Sequence, residues 1–276
     1  MKKIIVCLLV LAVAGAASAT VNVPAGYTGL WRFATSATKL NATVGTALTT
    51  SDPGNSAWFS GPWTDIGVEA WHTMYSDGGC VQERSWDYLT CTHGIAPNGG
   101  GDYVNQYTIM MDYVQTSGLD QWNSLYQTGS PHGNDGDLFT DGAGHIGIGS
   151  VEDGEPGYSS LTYDASTWHR IVLSVDNSSF FRVYVDGALF VDGPGQGVDG
   201  RFSLDPTVYL FADNDWEDQW GLVGTVATWD HALTSAQVAG MGGWIGNAAS
   251  PTPLIVPEPV TMALLAFGGL LLRRKK

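Results

Sequence analysis

Charge is scarce in this 276-residue chain. Asp, Glu, Lys and Arg make up 14% of it, against roughly 25% in an average globular domain. That shortage excludes coiled coils, long solvated helices and disordered charged tails. Positive charge is scarcer still. Between Thr20 and Ser250 the basic residues are Arg32, Lys39, Arg84, Arg170, Arg182 and Arg201, six against 26 acids, a formal −20. A body so acidic repels phosphate backbones, which excludes nucleic acid as a partner. It suits divalent cations and a solvated life outside the cell. Cysteine is nearly absent, with three in the whole chain. Catalytic strings are missing too: there is no His-Glu-x-x-His, no Gly-x-Ser-x-Gly and no EF-hand loop. The six histidines (72, 93, 132, 145, 169 and 231) are scattered.

Long hydrophobic runs are confined to the two ends. Lys2-Lys3, an apolar Ile4 to Ala14 and the small residues Ala17-Ser18-Ala19 make a secretory signal peptide over 1–19, cleaved between Ala19 and Thr20. At the other end a Pro-rich stalk over 247–259 finishes in Pro257-Glu258-Pro259, followed over 260–276 by an apolar stretch and the basic Arg273-Arg274-Lys275-Lys276. By composition alone this is a short single-pass anchor with its basic end in the cytoplasm. Its Pro-Glu-Pro, apolar helix and basic end, in that order, also resemble a PEP-CTERM sorting signal. That resemblance implies an exosortase-type processing enzyme as partner and a bacterial protein exported to the cell surface or an exopolysaccharide matrix, membrane-anchored only in passing.

What the chain has in excess is glycine (36), together with 11 Trp, 11 Tyr and 9 Phe. Those proportions suit a turn-dense β fold. From 20 to 246 there is no linker, repeat or low-complexity break. Short alternating runs predict strands over Tyr107–Val114, His169–Val175, Phe181–Val185, Ala188–Val191, Val208–Ala212 and Leu222–Trp229, with turns at Asp176–Ser179 and Asp186-Gly187. Leu30 to Phe33 and Asn41 to Leu48 add N-terminal strands. Glu152 to Pro156 reads as a turn. Thr234 and Gln237 have capping-box spacing and predict one short helix, ended by Gly240, Gly242 and Gly243. The fold class expected is all-β, an antiparallel sandwich with a single short C-terminal helix.

Several of these segments resemble laminin-G-like, concanavalin-A-like jelly rolls of bacterial surface proteins. They are Trp168-His169 before a strand, the Tyr184-Val185-Asp186-Gly187 turn, LFADNDWED over 210–218, and Ala232-Leu233-Thr234 with Val238 in the helix. The resemblance spans about 103–243. It implies the jelly-roll fold for the 20–246 body and a calcium-binding loop rim in some relatives. The acidic pair such sequences carry after a glycine in the penultimate strand is replaced here by Gly224-Thr225-Val226.

Chemistry has few places to sit. The Glu-x-Asp-x-x-Glu strand of related glucanases is missing, so catalysis is not expected, and His169 reads as structural. Asp213, Asp215 and Glu217 form the densest oxygen cluster and are the candidate calcium ligands; Asp135 and Asp137 are second candidates. Trp58, Trp63, Trp71 and Trp86 are interleaved with Gly, Asp and Ser and are candidate sugar-stacking residues. Cys80 and Cys91, the two cysteines left in an exported chain, are expected to pair, with two free thiols as the alternative. Asn41 and Asn177 begin glycosylation patterns read as chance. The expected function is a surface-displayed, non-enzymatic domain with a binding or structural role tied to exopolysaccharide, its partner a polysaccharide or a surface protein. A glycan hydrolase or lyase with an unrecognised carboxylate pair is the alternative.

Overall fold

The computed structural model describes residues 24–31, 40–50, 71–73, 88–115, 118–120, 122–129, 136–211, 213, 217, 219 and 221–243. The strands in chain order are β1 (Tyr27–Trp31), β2 (Ala42–Val44), β3 (Thr49–Thr50), β4 (Trp71–Thr73), β5 (Leu89–Thr92), β6 (Gln106–Gln115), β7 (Asn123–Gln127) and β8 (Asp137–Thr140). They continue as β9 (Ile146–Ile148), β10 (Gly157–Tyr158), β11 (His169–Asp176), β12 (Phe180–Val185), β13 (Ala188–Pro194), β14 (Thr207–Leu210) and β15 (Gly221–Trp229). Helix α1 (Ser235–Met241) closes the series.

Two sheets stack face to face, and every ladder is antiparallel. The first runs β13-β12-β11-β6-β15-β1-β2, with β4 also paired to β15. The second runs β10-β9-β8-β7-β14-β5-β3. Strand alternation builds the space between them. Tyr107, Ile109, Met111 and Tyr113 of β6, with Ile171, Leu173 and Val175 of β11, face Leu89, Leu125, Leu138, Val208 and Leu210 of the second sheet. Tyr107 and Tyr126 meet across this core, their hydroxyls 2.6 Å apart, and the Tyr107 hydroxyl donates to the Phe202 carbonyl.

The outer face of the first sheet is covered by α1. Leu233, Val238 and Met241 pack on Leu30, Met110, Val172, Tyr184, Ala227 and Trp229. The expected capping box is present, Thr234 accepting from the Gln237 N–H while Gln237 takes the Thr234 N–H. The helix passes through Gly240 and ends at Gly242, whose φ of 61° few other residues adopt. A buried ion pair ties the helix down. Arg170 Nε and Nη2 donate to the two Asp112 oxygens at 2.8 and 3.0 Å, and Nη1 donates to the Met241 carbonyl at 3.1 Å.

The strands match most of the expected runs with small shifts, but of the expected Asn41–Leu48 run only Ala42–Val44 is a strand. The last strand of the second sheet stops at Leu210 rather than Ala212, because Phe211 has φ 65° and breaks the ladder. The Asp186-Gly187 turn has φ 52° and 79°, the two-residue hairpin geometry that suits right-twisted strands. Glu152 to Pro156 is indeed a turn, with a 3-10 segment at Val151–Asp153. No helix among the described residues is long and apolar enough to cross a membrane. Residues 1–19, Thr20, the Pro257-Glu258-Pro259 stalk and the apolar tail lie outside the described residues.

Candidate functional site

The outer face of the second sheet carries no helix among the described residues, and its side chains differ in kind from those of the core. Register places them. Leu138, Tyr126 and Leu210 share an inward row, so Asp137, Gln127 and Tyr209, one residue on, share an outward row. Two residues further along β8, Phe139 points outward opposite Gly147, and Tyr158 of β10 sits opposite Gly147 from the other side. Gly147 has no side chain, which lets the β10 backbone approach it closely. Trp122, immediately before β7, joins them. Its ring centroid lies 5.3 Å from that of Tyr158 and 6.3 Å from that of Phe139. Trp122 is 47% exposed, against complete burial for Trp31 and Trp229. A half-exposed tryptophan held by two rings is a flat apolar surface open to solvent.

Carboxylates surround this surface. Asp137, Phe139 and Asp141 follow one another at two-residue spacing along β8 and its exit. Asp141 takes N–H groups from Ala143 and His145 on Oδ1 and meets the His145 ring at 2.9 Å through Oδ2. Those bonds outweigh partial burial and hold its pKa below the usual carboxylate value. Glu217 runs beside β7, its carbonyl accepting from Ser124 N–H at 2.7 Å. Glu155, on the turn before β10, pairs with Arg201. Burial, and then the charges of Glu217, Asp141, Asp137 and Glu155, raise the Tyr158 phenol pKa. Tyr158 therefore stays a neutral hydrogen-bonding ring at any physiological pH.

A laminin G profile of the concanavalin A-like lectin/glucanases superfamily matches residues 90–239, more than half of the chain. The chain belongs to this superfamily. Among solved structures it is similar to the binding domain of botulinum neurotoxin serotype D, with 11% identity and a TM-score of 0.50 over 80% of this chain and 51% of that one. A structure of botulinum neurotoxin type C, whose cell entry depends on interaction with two ganglioside molecules, gives 11% identity and a TM-score of 0.51 over 77% and 49%. Domain 4 of an extracellular arabinanase from Geobacillus stearothermophilus, in complex with arabinotriose, gives 17% identity and 0.47 over 79% and 98%. This chain thus spans about half of each neurotoxin chain, and those two likenesses show the fold alone. No curated protein matches it.

On this concanavalin A-like frame the expected site residues separate. Asp213 and Glu217 come together, but through the backbone of Glu217: Asp213 is 4% exposed and its Oδ1 accepts the Glu217 N–H at 3.1 Å. Asp215 and Asp135 lie outside the described residues, and among those described no three acids, histidines or cysteines gather to hold a metal. Cys91 is buried in β5 facing the core, and burial pushes its thiol up to about 12; Cys80 lies outside the described residues. So do Trp58, Trp63 and Trp86, while Trp71 falls in β4. Asn177 is fully buried, which bars a glycan there. His169 bridges two loops, Nδ1 to Asp186 Oδ2 at 2.7 Å and Nε2 to the Asp164 carbonyl at 2.9 Å.

Sequence reasoning missed Trp122, Phe139 and Tyr158. Trp122 falls within the 103–243 stretch of the family resemblance, where nothing in the sequence marks it off from the chain's other aromatics. Tyr158 lies in a two-residue strand that no alternation announces. The available signal was polar company: Asp137 and Asp141 flank Phe139 at two-residue spacing.

Proposed function

We propose that the protein is a non-catalytic glycan-binding domain, exported and displayed at the cell surface or in its polysaccharide matrix. One observation carries the reading: Trp122, half exposed, packed against Tyr158 and Phe139 on the outer face of the second sheet, which carries no helix among the described residues. A sugar ring stacks on such a surface through its axial C–H face while neighbouring polar groups take its hydroxyls. Tyr158 supplies one such group, and Asp141 and Glu217 lie close enough for their charges to act on its phenol. The test is direct. Trp122→Ala should abolish glycan retention on affinity gels, with the fold intact by circular dichroism, because an exposed ring contributes little to the core. Undiminished retention would end this reading.

Surface display is supported by the two end signals, with an exosortase-type enzyme as processing partner. A calcium ion on Asp213, Asp215 and Glu217 belongs to the same proposal, supported by the closeness of Asp213 to the Glu217 backbone. A glycan hydrolase is the second reading. It is favoured by the carboxylates whose charges reach Tyr158, since glycosidic cleavage uses a carboxylate pair. Release of reducing ends, lost in Glu217→Gln, would decide for it.

A further inference from the structure

The charge around the aromatic platform points to a ligand class, resting on the glycan-binding reading above. No lysine lies among the described residues, and their three arginines are all committed. Arg170 is locked to buried Asp112, Arg182 pairs with Asp192 across β12 and β13, and Arg201 pairs with Glu155. A uronate or sulfate arriving at the platform would find no uncommitted arginine among the described residues. It would instead meet Asp141 and Glu217, on a body whose 20–250 stretch carries six basic against 26 acidic residues. A protonated amine gains on both counts. It is drawn by the carboxylates, and an indole face attracts a cation more than any other ring does.

We propose that the Trp122–Phe139–Tyr158 platform takes amino sugars, binding glycans with free ammonium groups in preference to their acetylated or uronic counterparts. The ammonium lies between the exposed face of Trp122 and the carboxylates of Asp141 and Glu217, and the pyranose ring stacks on the aromatic surface. Acetylation removes the charge and leaves only the stacking.

Isothermal titration of the full chain with a glucosamine hexamer, an N-acetylglucosamine hexamer and a galacturonate hexamer tests this. The glucosamine hexamer should bind about tenfold tighter than the acetylated one, and the galacturonate hexamer should not bind. Glu217→Gln and Asp141→Asn should each cost the glucosamine hexamer about three- to fivefold more than they cost the acetylated one, the scale of an exposed ion pair. Should a variant fail to fold, salt serves in its place: added NaCl should weaken binding of the glucosamine hexamer alone. Equal affinity for both hexamers, with both lost in Trp122→Ala, would overturn the selectivity and leave the platform standing. If no hexamer depends on Trp122, the platform reading falls and the inference with it.

Discussion

At the scale of single residues, His169 shows how a motif of the sequence becomes a joint. It stands where β11 begins, its ring gripped by Asp186 on one side and by the Asp164 carbonyl on the other. Asp186 also takes the Arg170 N–H at 2.9 Å, so one carboxylate holds a turn and a strand start together. Burial disfavours the imidazolium, but the bonds and charges of Asp186 and Asp164 outweigh it and raise the pKa. A raised folded pKa means the stabilisation is complete below the unfolded value of roughly 6.5 and fades as pH climbs through the folded value. The difference in melting temperature between the parent and His169→Gln should therefore be largest in mild acid and shrink through neutrality. A difference that grows with pH would contradict this. The aspartate and glycine of this turn were legible in the sequence because only a few residues tolerate positive φ. Trp122 was not legible, because the same aromatic letter serves a core and a surface equally.

At the scale of elements, β6 and α1 form one unit. Strand β6 is covered on both sides, by the core residues of the second sheet and by the helix. Asp112 is the exception in its apolar run, and Arg170 answers it. Burial pushes the Asp112 carboxyl up while the guanidinium opposes this. Removing one partner leaves the other charge buried, so Arg170→Met or Asp112→Leu alone should cost about 3–5 kcal/mol in urea unfolding. The double substitution Asp112→Leu/Arg170→Met should recover most of that loss, with any remaining deficit tracing to the orphaned Met241 carbonyl. Additive losses would show that the pair is not coupled. The helix itself was readable from its cap and its trailing glycine, and the long strands from alternation. The short strands β9 and β10 of the second sheet, of three and two residues, are too brief for a period to establish itself. That is why the face bearing the site stayed hidden while the face bearing the helix did not.

At the scale of the whole molecule, the expected processing has a single readout. Mass spectrometry of surface-extracted protein should find an N-terminus at Thr20 and nothing beyond about Pro259. A non-reducing peptide map of the same sample should join Cys80 to Cys91; a bridge would add roughly 3 kcal/mol. Intact Arg273 to Lys276 would refute the sorting signal, and an unpaired Cys91, buried as it is, would refute the bridge. Calcium has its own test. If the 213–217 loop binds it, millimolar calcium should raise the melting temperature by a few degrees over excess chelator, and Asp213→Asn/Asp215→Asn should erase the rise. An equal rise with magnesium would signify general screening of the acidic body.

The fastening of α1 also sets how the domain bears load. Tension on the chain beyond Gly243 enters at the end of the helix, where Arg170 holds the Met241 carbonyl and the glycine lies against Asp186. Those few contacts are peeled one after another, so the helix yields first. Behind it stands β15, zipped along one edge to β6 and along the other to β1, and both seams resist together. A domain pulled from this end would lengthen in two stages, a soft one that sheds the helix and a stiff one that opens the sandwich. The aromatic platform sits on the opposite sheet and stays assembled through the first.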